Sequence, residues 1–222
     1  MAKTVLITGG SRGIGAELVQ QYAADGWDVI ATARSDSDLK ELDAMDNVTA
    51  MELDVAKPDS VAAFIDGVGD RPIDVFLNSA GVYGPRTPER DGWMDVLEIN
   101  VVAPTLLAEK LKPNVAASEK KVMAVVTSRM GSIGDNGGGG SIPYRSSKAA
   151  VNAAWKSLSI DWKDDGIAVV MLHPGWVKTD MGGDNAQIDT KTSVDGLRDR
   201  IAETDLSNSG RFVAYDGATI EW

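Results

Sequence analysis

The chain has 222 residues, 43% of them hydrophobic and 25% charged, which suits one ordinary domain with a buried core. Its formal net charge of −11 argues against nucleic acid or an anionic membrane as the main partner, since both need basic surface. It contains no cysteine, so disulfides, thiolate catalysis and zinc–cysteine sites are excluded. The first ten residues enter a strand-like run at once, and no uncharged apolar stretch is long enough to span a bilayer. A cytoplasmic protein is expected.

Thr4 to Thr8 is a short β-branched and apolar run, the pattern of a strand buried on both faces. Gly9-Gly10-Ser11-Arg12-Gly13-Ile14-Gly15 follows, and Ala16 to Ala24 reads as an amphipathic helix. Strand, glycine turn and helix together form a phosphate cradle. The glycines let backbone approach a pyrophosphate closely, and the helix N-terminus presents free N–H groups to it. Trp27 to Thr32 is the second strand. An acid at its end would bind a ribose 2′-hydroxyl, but the chain has Ala33 and then Arg34, with Arg12 as a second cation nearby. A guanidinium suits a 2′-phosphate, so NADP(H) is expected in preference to NAD(H). The plainer alternative is that Arg34 solvates a loop.

Asp36 to Met45 is a short polar helix and Val48 to Leu53 the third strand, ending at Asp54-Val55. Pro58 suits the first turn of a helix over Asp59 to Val68. Ile73 to Leu77 is the fourth strand and runs into Asn78-Ser79-Ala80-Gly81, where small residues let backbone pass close to a ligand. Asp91 to Leu111 is largely helical, and Pro104 inside it predicts a kink or a local loss of hydrogen bonds. Asn100, just upstream among apolar neighbours, needs hydrogen-bond partners. Lys121 to Thr127 is the fifth strand and delivers Ser128 to its C-terminal end, where open α/β sheets place ligands. Gly137 to Gly140 predicts a mobile loop.

A long helix is expected over Ile142 to Lys163. Near its start, Tyr144 and Lys148 stand four residues apart and so share one face. A phenol of pKa about 10 is a poor acid or base at neutral pH, and a neighbouring ammonium lowers that value toward the working range. Ile167 to Leu172 is the sixth strand. His173, the only histidine, sits at its end and reads as structural, with no partners to complete a metal site. A polar stretch from Asp184 to Ser193 is a candidate lid within a substrate loop at roughly 180–205. Val194 to Glu203 reads as a helix and Arg211 to Tyr215 as a final strand. Alternating strands and helices with right-handed crossovers predict an α/β fold, a single-domain, doubly wound Rossmann-type parallel sheet of about seven strands with helices on both faces.

Taken in order, Thr8-Gly9, Gly13-Ile14-Gly15, Asp54-Val55, Asn78-Ser79-Ala80-Gly81, Asn100, Ser128, Tyr144 with Lys148, and Pro174-Gly175 resemble the short-chain dehydrogenase/reductase family over essentially the whole chain. The stretches Ser128 to Ile133, Tyr144 to Asn152 and Leu172 to Gly183 look more narrowly like sniffer-type carbonyl reductases and C-factor-like proteins. The resemblance implies that Tyr144 is the acid in carbonyl reduction and the base in alcohol oxidation. Lys148 would lower its pKa and hold the nicotinamide ribose, Ser128 would bind the substrate oxygen, and Asn100 would position Lys148 through a water. It implies too that Asp54 and Val55 meet the adenine, that Asn78, Ala80 and Gly81 support the cofactor, and that Pro174, Gly175, Val177 and Thr179 hold the carboxamide. A serine replaces the family's usual second asparagine at Ser79, and the longer segment before Tyr144 leaves Ser132 as a rival to Ser128. The expected activity is hydride transfer between NADP(H) and a small carbonyl or alcohol, in a homodimer or homotetramer. The alternative is a dinucleotide-binding, C-factor-like signalling or sensor protein.

Overall fold

The computed structural model describes residues 2–222. Seven strands form one wholly parallel sheet in the order β3-β2-β1-β4-β5-β6-β7. They are β1 (Thr4–Thr8), β2 (Asp28–Ala33), β3 (Val48–Glu52), β4 (Val75–Asn78), β5 (Val122–Val126), β6 (Ala168–His173) and β7 (Arg211–Ala214). The order reverses direction between β1 and β4, and the crevice that opens beyond the carboxyl ends there is where such sheets take ligands. The expected doubly wound fold is the one observed.

Strand side chains alternate between two cores. Leu6, Phe76, Met123 and Val125 face one side, while Val5, Ile7, Val75 and Leu77 face the other. Helices α3 (Pro58–Val68), α5 (Ala103–Ala116) and α6 (Ile142–Asp161) cover the first face with Phe64, Leu107, Leu111 and Trp155. Helices α1 (Gly13–Ala24), α2 (Asp36–Asp43) and α7 (Thr190–Ala202) cover the second with Leu18, Leu42, Val194 and Leu197. Both sides of every central strand are therefore dry, which is why the strands read as continuous apolar runs.

Pro104 acts on the backbone as expected, though not by ending the helix. Helix α4 (Arg90–Leu97) passes into a π-helical turn over Glu98–Val102, and α5 begins at Ala103. Proline has no N–H for the carbonyl of Asn100 four residues back. The ladder shifts upstream instead, and the Ala103 N–H reaches the carbonyl of Glu98, five residues back. The wider turn places Asn100 in the interior, 2% exposed.

The stretch read as a substrate loop is helical over its second half. From Thr190 the chain is helical, capped by Asp189, whose carboxylate accepts from the Thr192 N–H at 2.8 Å. Val194, Leu197 and Ile201 of α7 are buried core, so any moving lid is confined to the residues before it. That shorter stretch is tied down where Lys178 N–H donates to Ile188 at 2.9 Å and Gly183 N–H to Thr179 at 2.8 Å. Gly137 to Gly140 lie exposed without regular structure, and Gly139 is held at 3.0 Å both by Asn136 Oδ1 and by Arg145 Nε.

Trp155 is fully buried and packs on Phe76 with ring centroids 6.2 Å apart, while its indole N–H has no partner among the described residues. Trp155→Ala should therefore lower the unfolding free energy in a urea titration by about 3–5 kcal/mol. Trp155→Phe should cost much less, because no hydrogen bond is lost.

Candidate active site

The C-terminal edge of the sheet carries a cleft of about 790 Å³. One end is the glycine loop. Gly9 has φ +68° and lies so close to Ala80 that an added Cβ would come within 3.1 Å of its Cα. A Cβ on Gly15 would sit 2.0 Å from the Gly9 carbonyl oxygen, so only glycine lets α1 start this close to β1. Helix α1 begins at Gly13, and no side chain among the described residues caps it. The N–H groups of its first turn have no intrahelical acceptor, and Gly13, Ile14 and Gly15 line the cleft. An anion is the natural partner for such an end.

Thr8 and Asn78 work behind this wall. The Thr8 hydroxyl donates to Asn78 Oδ1 at 2.9 Å and accepts from the N–H groups of Ser79 and Ala80, each at 3.2 Å. Asn78 Nδ2 returns a bond to the Ala80 carbonyl at 3.2 Å. These contacts hold the loop over residues 79–81, which lines the cleft beside Ser11 and Arg12. Arg34 projects at the cleft's far side with Thr32, Ala33, Asp38, Asp54 and Val55. Arg12 and Asp180 approach to 3.8 Å, but both side chains are mostly exposed and the pair is weak. Asp54 pairs with Lys57 at 3.2 Å and its Oδ1 accepts from the Ala56 N–H at 3.2 Å.

Pro174 and Thr179 belong to the cleft wall, and the Thr179 methyl faces the Gly13 backbone. Gly175, with φ +85°, and the buried Val177 turn instead into the scaffold, against Ile188 and Tyr215 in the case of Gly175.

The other end of the cleft holds Tyr144 and Lys148, one turn apart on α6 and 7% and 6% exposed. Lys148 Nζ lies 5.6 Å from the centre of the Tyr144 ring and donates to the Val126 carbonyl at 3.1 Å. Ser128 stands beside the Tyr144 phenol, close enough to favour its ionised form. Ser128 Oγ also accepts from the Met130 N–H at 3.1 Å, capping a short 3₁₀ turn over Arg129–Gly131. Ser132 does not compete for this place. It is buried, and its Oγ accepts from the Asp135 N–H at 3.0 Å within its own turn.

Asn100 holds its neighbours by direct bonds. Its Nδ2 donates to the Val82 carbonyl at 2.8 Å and to Ser147 Oγ at 3.0 Å, and its Oδ1 accepts from the Val82 N–H at 2.8 Å. A Cβ on Gly81 would lie 3.2 Å from that Oδ1 and 3.6 Å from Lys148 Nζ. The missing side chain leaves room between amide and ammonium.

The electrostatics correct one expectation. Burial pushes the Tyr144 phenol up to about 12, with Ser128 pulling it down and Tyr83 pushing it further up. Lys148 does not lower it here; burial brings the lysine itself down to about 8. Taking both groups out of water favours their neutral forms more than their mutual attraction favours the ionised pair. His173 is half-buried and pushed down to about 4, first by loss of solvent and then by Arg129. No group of three or more potential metal ligands exists among the described residues.

Two contributors were not visible in the chain. Ser147 partners Asn100, and Tyr83 stacks on Tyr144 with ring centroids 4.5 Å apart. The only hint in the sequence was an aromatic residue just after Asn78-Ser79-Ala80-Gly81.

Lys148 has a lower pKa folded than its ordinary 10.5, so the unfolded chain binds the extra proton between about 8 and 10.5. Stability of the ligand-free protein should rise with pH through that window, until ionisation of the unfolded tyrosines opposes it above 10. Lys148→Met should raise the unfolding free energy at neutral pH by about 1–3 kcal/mol and abolish the rise. Chemical denaturation at several pH values reads both effects.

Residues 3–189 match the profile of the short chain dehydrogenases. The C-signal of Myxococcus xanthus is 39% identical over 164 residues, covering 72% of this chain and 99% of that protein. The carbonyl reductase Sniffer of D. melanogaster superposes with a TM-score of 0.87 at 33% identity, covering 100% of both chains. The NADPH-bound carbonyl reductase from chicken fatty liver gives 0.91 at 28% identity, covering 100% of this chain and 99% of the other. A glycine loop at one end of the cleft and a buried tyrosine–lysine pair at the other thus belong to a recognised lineage: the chain is a member of the short chain dehydrogenase family and an oxidoreductase.

Proposed function

We propose that the protein uses NADP(H) to interconvert a small carbonyl compound and its alcohol. One observation carries this reading: Tyr144, with Ser128 beside it, and Lys148 line one end of a cleft whose other end is the uncapped start of α1. The residues fit a dinucleotide. The glycine loop has no room for side chains, the free N–H groups of α1 suit a pyrophosphate, and Arg34 and Arg12, both in the cleft wall, would hold a 2′-phosphate. Asp38 shares that wall and would select against a second anion unless the guanidinium fork is engaged. The NADPH-bound chicken reductase supports the same choice. When bound, the nicotinamide supplies or accepts the hydride.

The chain's own work is to place and move a proton. A phenol held near 12 stays protonated at neutral pH and is ready to donate to a carbonyl oxygen. The Ser128 hydroxyl, whose lone pair already serves Met130, orients its own proton toward that same oxygen or the phenol. An ammonium has three donors, and Lys148 uses one on Val126, leaving others for ribose hydroxyls and for the developing phenolate. Asn100 fixes Val82 and Ser147 on either side of Lys148. In alcohol oxidation Tyr144 would receive the proton, with Lys148 stabilising the ionised form.

The similarity to C-signal favours a second reading, in which the protein binds a dinucleotide and signals. A pure binder has no use for a buried amine that lowers stability beside a buried phenol, so the enzymatic reading takes precedence. Exposed Met94, Val102 and Leu106 on α4, the π turn and α5, with Ile160 on α6, support assembly as a homodimer or homotetramer through those helices.

With NADPH and a panel of small aldehydes and ketones, Tyr144→Phe should reduce kcat at least about 10³-fold. Its dissociation constant for NADPH should match that of the parent; turnover surviving the substitution would remove Tyr144 from the chemistry. Arg34→Ala should weaken NADPH binding about tenfold or more while leaving NADH unchanged. Equal losses for both cofactors, measured by calorimetry, would refute the phosphate contact.

A further inference from the structure

Tyr83 has no part in the scheme above, yet its placement is unusually determined. The residue before it, Val82, is gripped through both its N–H and its carbonyl by the Asn100 amide, each at 2.8 Å. The residue after it, Gly84, has φ +71°, and a Cβ there would collide with Val96 Cγ2 at 2.1 Å. The backbone at Tyr83 is therefore fixed from both sides. Its ring lies against the Tyr144 ring with centroids 4.5 Å apart and planes 21° from parallel. Its hydroxyl is 2.7 Å from Ser141 Oγ. Ser141 stands immediately before α6 with φ +45° and ψ +44°, a left-handed conformation that non-glycine residues adopt only when their surroundings demand it.

These contacts close a ring of interactions. Tyr83 touches Tyr144 directly and grips the chain three residues ahead of it, so the phenol's plane and the start of α6 are set by one side chain. We propose that Tyr83 is a positioning residue for Tyr144: its ring holds the phenol in plane and keeps water from one of its faces, and its hydroxyl ties that stack to Ser141. The assignment of Tyr144 as proton donor rests on the preceding reading; the stack and its shielding do not. Burial is the main cause of the high phenol pKa, the Tyr83 ring being part of what covers it, and the charge of an ionised Tyr83 adds a smaller push in the same direction. Removing the ring exposes the phenol to water and brings its ionisation back toward the ordinary value of 10.0.

The experiment compares the parent, Tyr83→Leu, Tyr83→Phe, Ser141→Gly and the Tyr83→Phe/Ser141→Gly double variant, each with and without Tyr144→Phe. The first readout is tyrosinate absorbance in alkaline titration of the cofactor-free proteins, taken as the difference between each protein and its Tyr144→Phe counterpart. In the parent, Tyr144 should contribute no tyrosinate near pH 10; in Tyr83→Leu it should. Tyr83→Phe, which keeps the stack and loses only the Tyr83 charge, should stay much closer to the parent than Tyr83→Leu. The second readout is carbonyl reduction with NADPH against pH. Tyr83→Leu should lower kcat about tenfold, the most that an aromatic pair contributes, and move the alkaline limb to lower pH. Tyr83→Phe and Ser141→Gly should each lower kcat no more than about threefold, and together no more than either alone, since they break the same bond. NADPH binding should not change in any of them.

Identical Tyr144 titrations in the parent and Tyr83→Leu would overturn the proposal, whatever happens to kcat. Additive losses in Tyr83→Phe with Ser141→Gly would overturn the tie to α6. A parent protein that reduces no carbonyl would sink the enzymatic reading alone, because the absorbance titration still decides what Tyr83 does.

Discussion

The amide of Asn100 is the joint on which the site turns. It joins the loop after β4, through Val82, to α6, through Ser147, and it does so from inside a π-helical turn. Each of the segments it joins carries something the cleft needs: Gly81 and Tyr83 on one side, Tyr144 and Lys148 on the other. The turn exists because Pro104 leaves a carbonyl without its usual donor and the backbone widens to compensate. A proline four residues away in sequence thus decides where an amide points, and the amide decides how two otherwise separate segments meet.

Burial is the second organising fact. Tyr144 and Lys148 are both withdrawn from water, and each is pushed toward its neutral form. A lysine near 8 destabilises the ligand-free fold at neutral pH, whereas a phenol near 12 stays protonated there at no such cost. They also leave a protonated acid and a labile cation side by side, ready to respond to a ligand that brings charge and hydroxyl groups. The sheet tolerates this because its interior is otherwise dry and continuous, with large side chains such as Trp155, Phe76 and Phe64 on one face alone. Stability is concentrated under the sheet, and polar strain at its carboxyl edge.

The same division runs through the loops. Thr8 and Asn78 spend their side chains on the backbone of Ser79 and Ala80, and Gly15 admits α1 against β1 where any Cβ would collide. Thr8 and Asn78 shape the cleft without forming its inner surface. Thr179 bridges the glycine loop and the segment after β6, whose bonds to Ile188 and Gly182 leave only a short stretch before α7 free of core contacts. The far end of the expected lid, from Thr190, is core helix.

The chain by itself determined the doubly wound sheet, because parallel strands buried on both faces must be continuous apolar runs and their crossover helices must carry a stripe. It determined the glycine loop and the spacing of Tyr144 and Lys148, since close backbone approach and a shared helix face are local properties. It also showed that Pro104 would disturb its helix. What it could not contain were consequences of residues distant in sequence meeting. The sequence already favoured Ser128 through the glycine three residues later, but that Ser132 spends its hydroxyl within its own turn while Ser128 stands beside Tyr144 shows only in the fold. The stacking of Tyr83 needed β4, the π turn and α6 assembled around Asn100. The direction of the Tyr144 shift depended on desolvation, a property of the finished interior: spacing alone predicts attraction between phenol and amine, and only the packed structure shows how little water is left to support their charges.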